Sequence, residues 1–126
     1  MHNYKKLKVW HKSLELNKTI YELTKLLPRT EQYNLVSQLN RASVSVPSNI
    51  SEGAAKKSDN EFAYYLGIAA GSCNEINTQL EMCVNLNFLQ QEQINIALSQ
   101  VDEIQKILRS LRNKFTKEKS NGSTSK

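Results

Sequence analysis

Apolar residues recur along one segment in steps of four and three positions, without a break for six turns. They are Phe62, Leu66, Ala69, Cys73, Ile76, Leu80 and Cys83. This spacing puts all of them on one side of an α-helix, so it predicts a helix over 59–84 with one buried face. Ser58 and Glu61 have the spacing of a capping box, in which Ser58 accepts from the Glu61 amide and the Glu61 carboxylate reaches the Ser58 amide. A long helix with one buried face needs partner helices.

Three further segments carry the same helical period. They span 8–27, 31–55 and 91–115. Pro28 ends the first segment, and Thr30 is the expected N-cap of the second. Strand-like alternation is not found in the sequence, and the connections are short. The pattern therefore predicts an all-α protein, an antiparallel up-down-up-down four-helix bundle over 1–117. The Ser, Asn, Gly, Thr and Lys of 118–126 predict a disordered tail.

Pro47 interrupts the second predicted helix. Proline cannot donate a hydrogen bond to the Ser43 carbonyl, and it pushes Val46 away from helical angles. Two interpretations follow, a break into two helices or one kinked helix. The apolar phase continues through the proline from Val46 to Ile50, which favours a helix kinked at Pro47.

Length and composition limit the class of protein. A chain of 126 residues at 39% hydrophobic suits one domain with one core. The sequence shows neither an apolar run of about 20 residues nor the apolar core of a secretory signal, so we expect no membrane association and a cytoplasmic protein. Cys73 and Cys83 lie ten positions apart on one predicted helix, about 15 Å along its axis, and are expected to be buried free thiols.

Positive charge is concentrated at the two ends of the chain. Residues 1–12 carry +4 and residues 106–119 carry +5, whereas residues 13–105 carry −5. In an up-down-up-down bundle the chain start, the second connection and the end of the fourth helix share one end of the bundle, which we call the basic pole. Its predicted nucleic-acid-binding residues are Lys5, Lys6, Lys8, Lys12, Lys56, Lys57, Arg112 and Lys114.

Two explanations compete for this charge. Cations in the last turn of the fourth helix complement its dipole, which accounts for Arg112 and Lys114. The dipole disfavours the lysines at the start of the first helix, so a partner with negative charge, above all the backbone of RNA or DNA, is the second explanation.

A polar stripe lies beside the apolar face of the second helix. It comprises Arg41, Ser45, Asn49 and Glu52, with Ser48 between them. If the second and third helices pair antiparallel about residue 57, Arg41 lies within a turn of Glu75. We prefer a structural Arg41–Glu75 ion pair that fixes helix register to the alternative, a binding site.

Several large apolar residues are left over once each helix has supplied its core face. They are Trp10, Tyr21, Val36, Val44, Tyr64, Tyr65 and Ile68. A four-helix monomer has one interior, so these residues predict an oligomer interface.

Catalysis and metal binding have little support in the sequence. His2 and His11 are the two histidines, and the Glu-x-x-His pair of a di-iron bundle does not occur. A phosphate-binding loop is also missing, and neither cysteine has a basic neighbour at helical spacing. We expect a protein that is not an enzyme and that has no cofactor and no metal.

Two motifs resemble those of the 23S ribosomal RNA intervening-sequence proteins. They are QLNRASVSVPSNISEG at 38–53 and YLGIAAGSCNE at 65–75. Asn40 and Ser51 depart from the family's usual arginine and alanine. The resemblance implies a four-helix bundle that forms a homo-oligomer, commonly a pentamer, without known catalysis. Accessory proteins of diversity-generating retroelements are related to this family, and there the oligomer binds nucleic acid and a reverse transcriptase.

Two functional hypotheses outrank an enzyme. The first is a homo-oligomer that binds nucleic acid through the basic pole. The second is an oligomeric adaptor for a protein, for example a reverse transcriptase, with no direct role for nucleic acid. Binding that falls steeply with salt favours the first, and a tight protein complex with indifferent nucleic-acid binding favours the second.

Overall fold

Four α-helices make up the fold in the computed structural model, which describes the backbone of residues 1–124 and the side chains of residues 1–116. They are α1 (Lys8–Thr24), α2 (Ser37–Ala54), α3 (Asp59–Asn85) and α4 (Gln91–Thr124). Strands do not occur in the described backbone, which confirms the all-α class. None of the described helices combines the length and the hydrophobicity that crossing a bilayer requires.

Each helix packs against two neighbours, so that α2 lies between α1 and α3, and α4 lies between α3 and α1. Cross-helix contacts give the direction of neighbouring helices. Thr24 reaches Asn40 and Asn17 reaches Ser43, while Phe62 stacks on Phe115 and the Ala70 carbonyl accepts from Gln105. In both of these helix pairs the residue numbers run in opposite directions, as the predicted up-down-up-down topology requires.

The seven periodic apolar residues of α3, from Phe62 to Cys83, lie at the centre of the core. All seven of its members are fully buried, as predicted. Ser58 caps the helix by accepting from the Glu61 amide at 3.1 Å. The Glu61 carboxylate accepts from the Ser58 hydroxyl at 3.2 Å, so the second half of the box is formed by the side chain of Ser58 rather than by its amide.

The second helix begins differently from its prediction. A 3₁₀ turn (Arg29–Glu31) and a π-helical turn (Gln32–Val36) precede α2. The side chain of Glu31, not Thr30, accepts from the Leu35 amide. The first helix ends at Thr24 rather than at residue 27, because Leu26 and Leu27 donate to carbonyls three residues back, in a tightened last turn.

Pro47 lies inside α2, which continues through it to Ala54. The single helix agrees with the preferred interpretation rather than with a break into two helices. The angle of the bend stays a prediction.

The backbone of α4 extends past its predicted end at residue 115. The side chains of the predicted tail at 118–126 lie outside the described residues, and the prediction that this tail is disordered is untested. At the other end of the bundle, Asn87 turns the chain from α3 into α4 with a φ of 64°. Asparagine tolerates this left-handed conformation better than most residues.

Candidate nucleic-acid interface

The first residues of the chain are tied to the basic pole by His2. Its backbone amide donates to the Ala54 carbonyl at 2.7 Å, and its ring nitrogen Nε2 lies 2.9 Å from the Asp59 carboxylate. The same ring contacts the rings of Phe62 and Phe115, with centroids 5.0 and 5.2 Å away. The chain start, the α2–α3 connection and α4 therefore meet at one end, as the topology predicted.

The lysines of this end differ in their surroundings. The side chains of Lys5, Lys6, Lys8, Lys57 and Lys114 are exposed, and none of them forms an ion pair within the described part of the chain. Five exposed cations on three chain segments make this surface electropositive. Whether they bind nucleic acid stays a prediction.

Two of the predicted pole residues have carboxylate partners. Lys12 is 3.0 Å from Glu103 on α4, and Lys56 is 3.9 Å from Glu52 and 5.3 Å from the centre of the Tyr65 ring. Both cations are less exposed than their carboxylates. They contribute to packing between helices, and their positive charge is partly neutralised.

Arg112 is placed away from the tip of the pole. Its guanidinium lies against Gly67 of α3, with Nη2 3.4 Å from the position that a Cβ on Gly67 would occupy. Together with Arg109 it lines a groove between α3 and α4. The sequence does not indicate this groove, because its lining residues lie on two helices whose relative rotation cannot be deduced from either pattern alone.

The polar stripe of α2 joins α2 to α3 through hydroxyl groups. Ser72 donates to Ser45 at 2.8 Å, and the Asn49 amide donates to the Ser45 carbonyl and hydroxyl. Arg41 and Glu75 line one cavity of about 300 Å³ but form no ion pair within the described residues, so that prediction is wrong. Both side chains are exposed, where solvation competes with pairing.

Four of the seven residues predicted to form an oligomer interface are exposed in the single chain, and the interface itself stays a prediction. Tyr21, Val44, Tyr64 and Ile68 are exposed, Tyr64 by 67%. Tyr65 and Trp10 are half-buried, and Trp10 packs edge-on against Tyr4. Val36 is only 9% exposed and belongs to the core of the single chain, because the π-helical turn directs it inward. Val36 is therefore not available at the surface of the chain for an oligomer interface.

Cys73 and Cys83 are buried free thiols, as predicted. Burial raises the pKa of Cys73 to about 12. Burial, and secondarily the Glu31 carboxylate, raises the pKa of Cys83 to about 11. Clusters of three or more metal-ligating side chains do not occur among the described residues.

Both thiols are expected to resist alkylation in the native protein. A raised pKa means that the reactive thiolate forms only at higher pH, so at pH 8 iodoacetamide should label each cysteine at least about a hundredfold more slowly than it labels the urea-unfolded chain. Mass spectrometry of quenched time points measures both rates. Equal labelling rates in native and unfolded protein would contradict the burial of the thiol concerned.

Comparison with known proteins assigns the fold to a family. Residues 5–110 match the family described as 23S rRNA-intervening sequence protein. The chain is also similar to a crystallised protein of unknown function from the S23 ribosomal protein family of Bacteroides thetaiotaomicron. The two share 30% identity and a TM-score of 0.76 over 82% of this chain and 97% of the other. No curated protein sequence matches the chain.

Neither description names an enzymatic activity. The absence of catalysis in this chain stays a prediction. The family match covers most of the sequence, including both motifs and all four helices through residue 110. This chain therefore belongs to the 23S rRNA-intervening sequence protein family.

Proposed function

We propose that this protein binds nucleic acid through the basic pole and does so without catalysis. The observation that carries the proposal is the group of exposed lysines, Lys5, Lys6, Lys8, Lys57 and Lys114, which have no carboxylate partner among the described residues. His2 and its contacts hold the chain start beside the α2–α3 connection, so the backbone that carries Lys5, Lys6 and Lys8 lies at the same end as Lys57. A cluster of cations at one end is suited to a polyanion.

Contacts at the pole should be made to phosphate and not to bases. Phe115 is buried in the core, and Tyr4 is half-buried in an edge-on contact with Trp10, so these two rings offer little surface for stacking. Lysine contacts to phosphate carry no sequence information. Binding at the pole is therefore tolerant of sequence and sensitive to salt. The family description refers to 23S rRNA, which makes RNA the first ligand to test.

Charge reversal at the pole tests this function. Changing Lys5, Lys6 and Lys57 to glutamate should weaken RNA binding at least about tenfold at low salt and flatten the dependence of affinity on salt. The matched control changes Lys18, Lys25 and Arg29 to glutamate, which alters net charge equally at exposed sites elsewhere. Fluorescence anisotropy with labelled single-stranded RNA and DNA measures the affinity of the wild type and of both variants.

Equal affinity of the pole variant and the wild type would refute the proposal. Equal losses in the two variants would show that binding depends on net charge and not on the pole. Indifferent nucleic-acid binding together with a tight protein complex would support the adaptor hypothesis. A reverse transcriptase as that protein, and a relation to retroelement accessory proteins, rest on the resemblance alone.

We further propose that the chain forms a closed homo-oligomer, with five subunits as the family resemblance implies. Two separate apolar patches support this. Tyr21 and Val44 line one groove between α1 and α2, whereas Tyr64 and Ile68 are exposed one turn apart on α3. Two different patches on one chain suit a heterologous contact, which closes into a ring when it repeats by rotation. A ring would gather several basic poles and strengthen weak phosphate binding.

Light scattering is expected to give a mass of five times the 14.4 kDa of one chain. The variant Ile68→Arg places a charge in the α3 patch and should dissociate the assembly at micromolar concentration. Ile96→Arg is the matched control, because Ile96 is 69% exposed on α4 and outside both patches. A wild-type monomer would rule out the ring, whereas a dimer or tetramer would correct only the number of subunits.

A further inference from the structure

The groove between α3 and α4 carries two arginines in its half nearest the basic pole, Arg109 and Arg112. They are three positions apart on α4, so they lie on the same side of that helix, and both side chains are exposed. Neither forms an ion pair with a carboxylate of the described residues. Two like charges one turn apart repel each other, and a bound anion would relieve that repulsion.

The dipole of α4 does not account for this pair of charges. A helix dipole stabilises cations within the last turn of the helix. The backbone of α4 continues to Thr124, so Arg112 precedes the end of the helix by twelve positions and Arg109 by fifteen. Both arginines therefore lie in the body of the helix, where the dipole explanation considered for Arg112 does not apply.

The wall of α3 opposite the arginines consists of small residues. The Nη2, Cζ and Nε atoms of Arg112 are 3.4, 3.5 and 3.6 Å from the position that a Cβ on Gly67 would occupy. These nearly equal distances place one face of the guanidinium against α3, which leaves the N–H groups in its plane free to donate. Ala70 follows Gly67 along the wall. Helix α3 carries four acids, and none of them lines this groove, namely Asp59, Glu61, Glu75 and Glu81.

Gln105 crosses the groove on the side of the arginines away from the pole. Its Nε2 donates to the Ala70 carbonyl at 3.2 Å and to Asn74 Oδ1 at 2.9 Å. This bridge joins α3 to α4 about one turn beyond Arg109. A strand that enters the groove from the pole therefore meets a barrier just after the arginines.

The arginines are within reach of a strand held at the pole. Arg112 precedes Phe115 by three positions, about 4.5 Å along the helix axis, and Arg109 precedes it by about 9 Å. The ring of Phe115 contacts the ring of His2 with centroids 5.2 Å apart, and His2 ties the chain start to this end of the bundle. The two arginines and the exposed lysines of the pole thus form one continuous path for a polyanion.

We propose that Arg109 and Arg112 bind the terminal phosphate of a nucleic-acid strand whose backbone lies on the basic pole. A phosphomonoester carries a charge of about −1.5 to −2 at pH 7 and three free oxygens, whereas an internal phosphodiester carries a single charge and two. Two guanidinium groups, each able to bind two oxygens, match the monoester. A strand end also suits a groove that Gln105 crosses, because an internal phosphate needs room for the strand on both sides.

This inference deepens the proposed function and rests on it for the strand. The lysines of the pole attract every phosphate of a strand alike. The arginines of the groove would distinguish a phosphorylated end from a hydroxyl end. The protein would then select strand ends without reading base sequence.

The first experiment measures fluorescence anisotropy with one internally labelled RNA sequence in three forms, which carry a 5′-phosphate, a 3′-phosphate or hydroxyl groups at both ends. Wild type should bind one phosphorylated form about tenfold more tightly than the hydroxyl form, and the form preferred identifies the end that enters the groove. A hydroxyl-ended RNA one nucleotide longer has one more phosphate charge and should gain much less.

The double variant Arg109→Gln, Arg112→Gln should bind all three forms equally. The matched control Lys18→Gln, Lys25→Gln removes the same charge from exposed sites elsewhere and should keep the preference. The pole variant should lose affinity for every form and keep the ratio between them. Equal affinity of wild type for phosphorylated and hydroxyl ends would overturn the groove site and leave the pole intact.

The second experiment follows the Nε–H signals of the ¹⁵N-labelled protein by NMR during titration with inorganic phosphate. The chain has four arginines, so Arg29 and Arg41, both exposed, are internal controls. Phosphate should shift the signals of Arg109 and Arg112 and leave the other two in place. Equal shifts of all four would overturn the site. Shifts confined to the groove arginines, together with no binding of any RNA, would support a phosphate site and refute the proposed function.

Discussion

Replacing Phe62 by alanine is expected to lower the free energy of unfolding by about 3–5 kcal/mol. Phe62 is fully buried, and its ring stacks on that of Phe115 with centroids 5.0 Å apart and an angle of 29° between the rings. The ring of His2 lies against both. Truncation removes the buried ring and leaves a cavity among α2, α3, α4 and the chain start. Small domains are stable by about 5–15 kcal/mol, so this loss is large.

Urea denaturation followed by circular dichroism measures this loss as a lower midpoint at unchanged slope. Ile96→Ala is the control, because Ile96 is exposed on α4 and its truncation should stay within about 0.5 kcal/mol of wild type. Similar midpoints for the two variants would contradict the central position given to Phe62. A changed slope would show that the mutation also alters the compactness of one state.

The buried face of each helix could be predicted from the sequence, because many apolar residues contribute to each periodic pattern. The seven apolar positions of α3 agree with one another, so a single exception would not have hidden the period, and all seven are buried as expected. The prediction of a helix end depends on only one or two residues. The 3₁₀ and π-helical turns before α2 were therefore missed, and with them the inward direction of Val36.

Side-chain pairs were predicted less well than helices. Arg41 and Glu75 line the same cavity, which agrees with the predicted antiparallel register of α2 and α3, yet their long exposed side chains do not pair in the described structure. The anchoring of His2 needs three segments to converge within a few ångströms, whereas the topology indicated only that they share one end of the bundle. The α3–α4 groove was missed for the same reason, since its residues lie on two helices whose relative rotation the sequence does not state.

Gly53→Ala is expected to destabilise the protein by about 1–3 kcal/mol, even though alanine is the better helix former. A Cβ at Gly53 would lie 2.6 Å from Tyr65 Cβ and 2.9 Å from Phe62 Cδ1, and 3.3 Å from the Phe62 carbonyl oxygen. Tyr65 Cβ is attached directly to the backbone of α3, so rotation of a side chain cannot relieve the contact. The helices α2 and α3 must therefore move apart.

Gly71→Ala is the matched substitution on α3, because nothing lies within 4 Å of a Cβ placed there. It should stabilise the protein by about 0.5–1 kcal/mol through helix propensity alone. Thermal unfolding of both variants tests the opposite signs, and stabilisation by Gly53→Ala would disprove the close approach of α2 to α3. Because Ala54 accepts the hydrogen bond from the His2 amide, separation of the helices at Gly53 should also loosen the chain start at the basic pole. The His2 amide should then exchange its hydrogen faster in Gly53→Ala than in the wild type, and at the wild-type rate in Gly71→Ala. That result would connect the packing of the helices to the arrangement of the lysines.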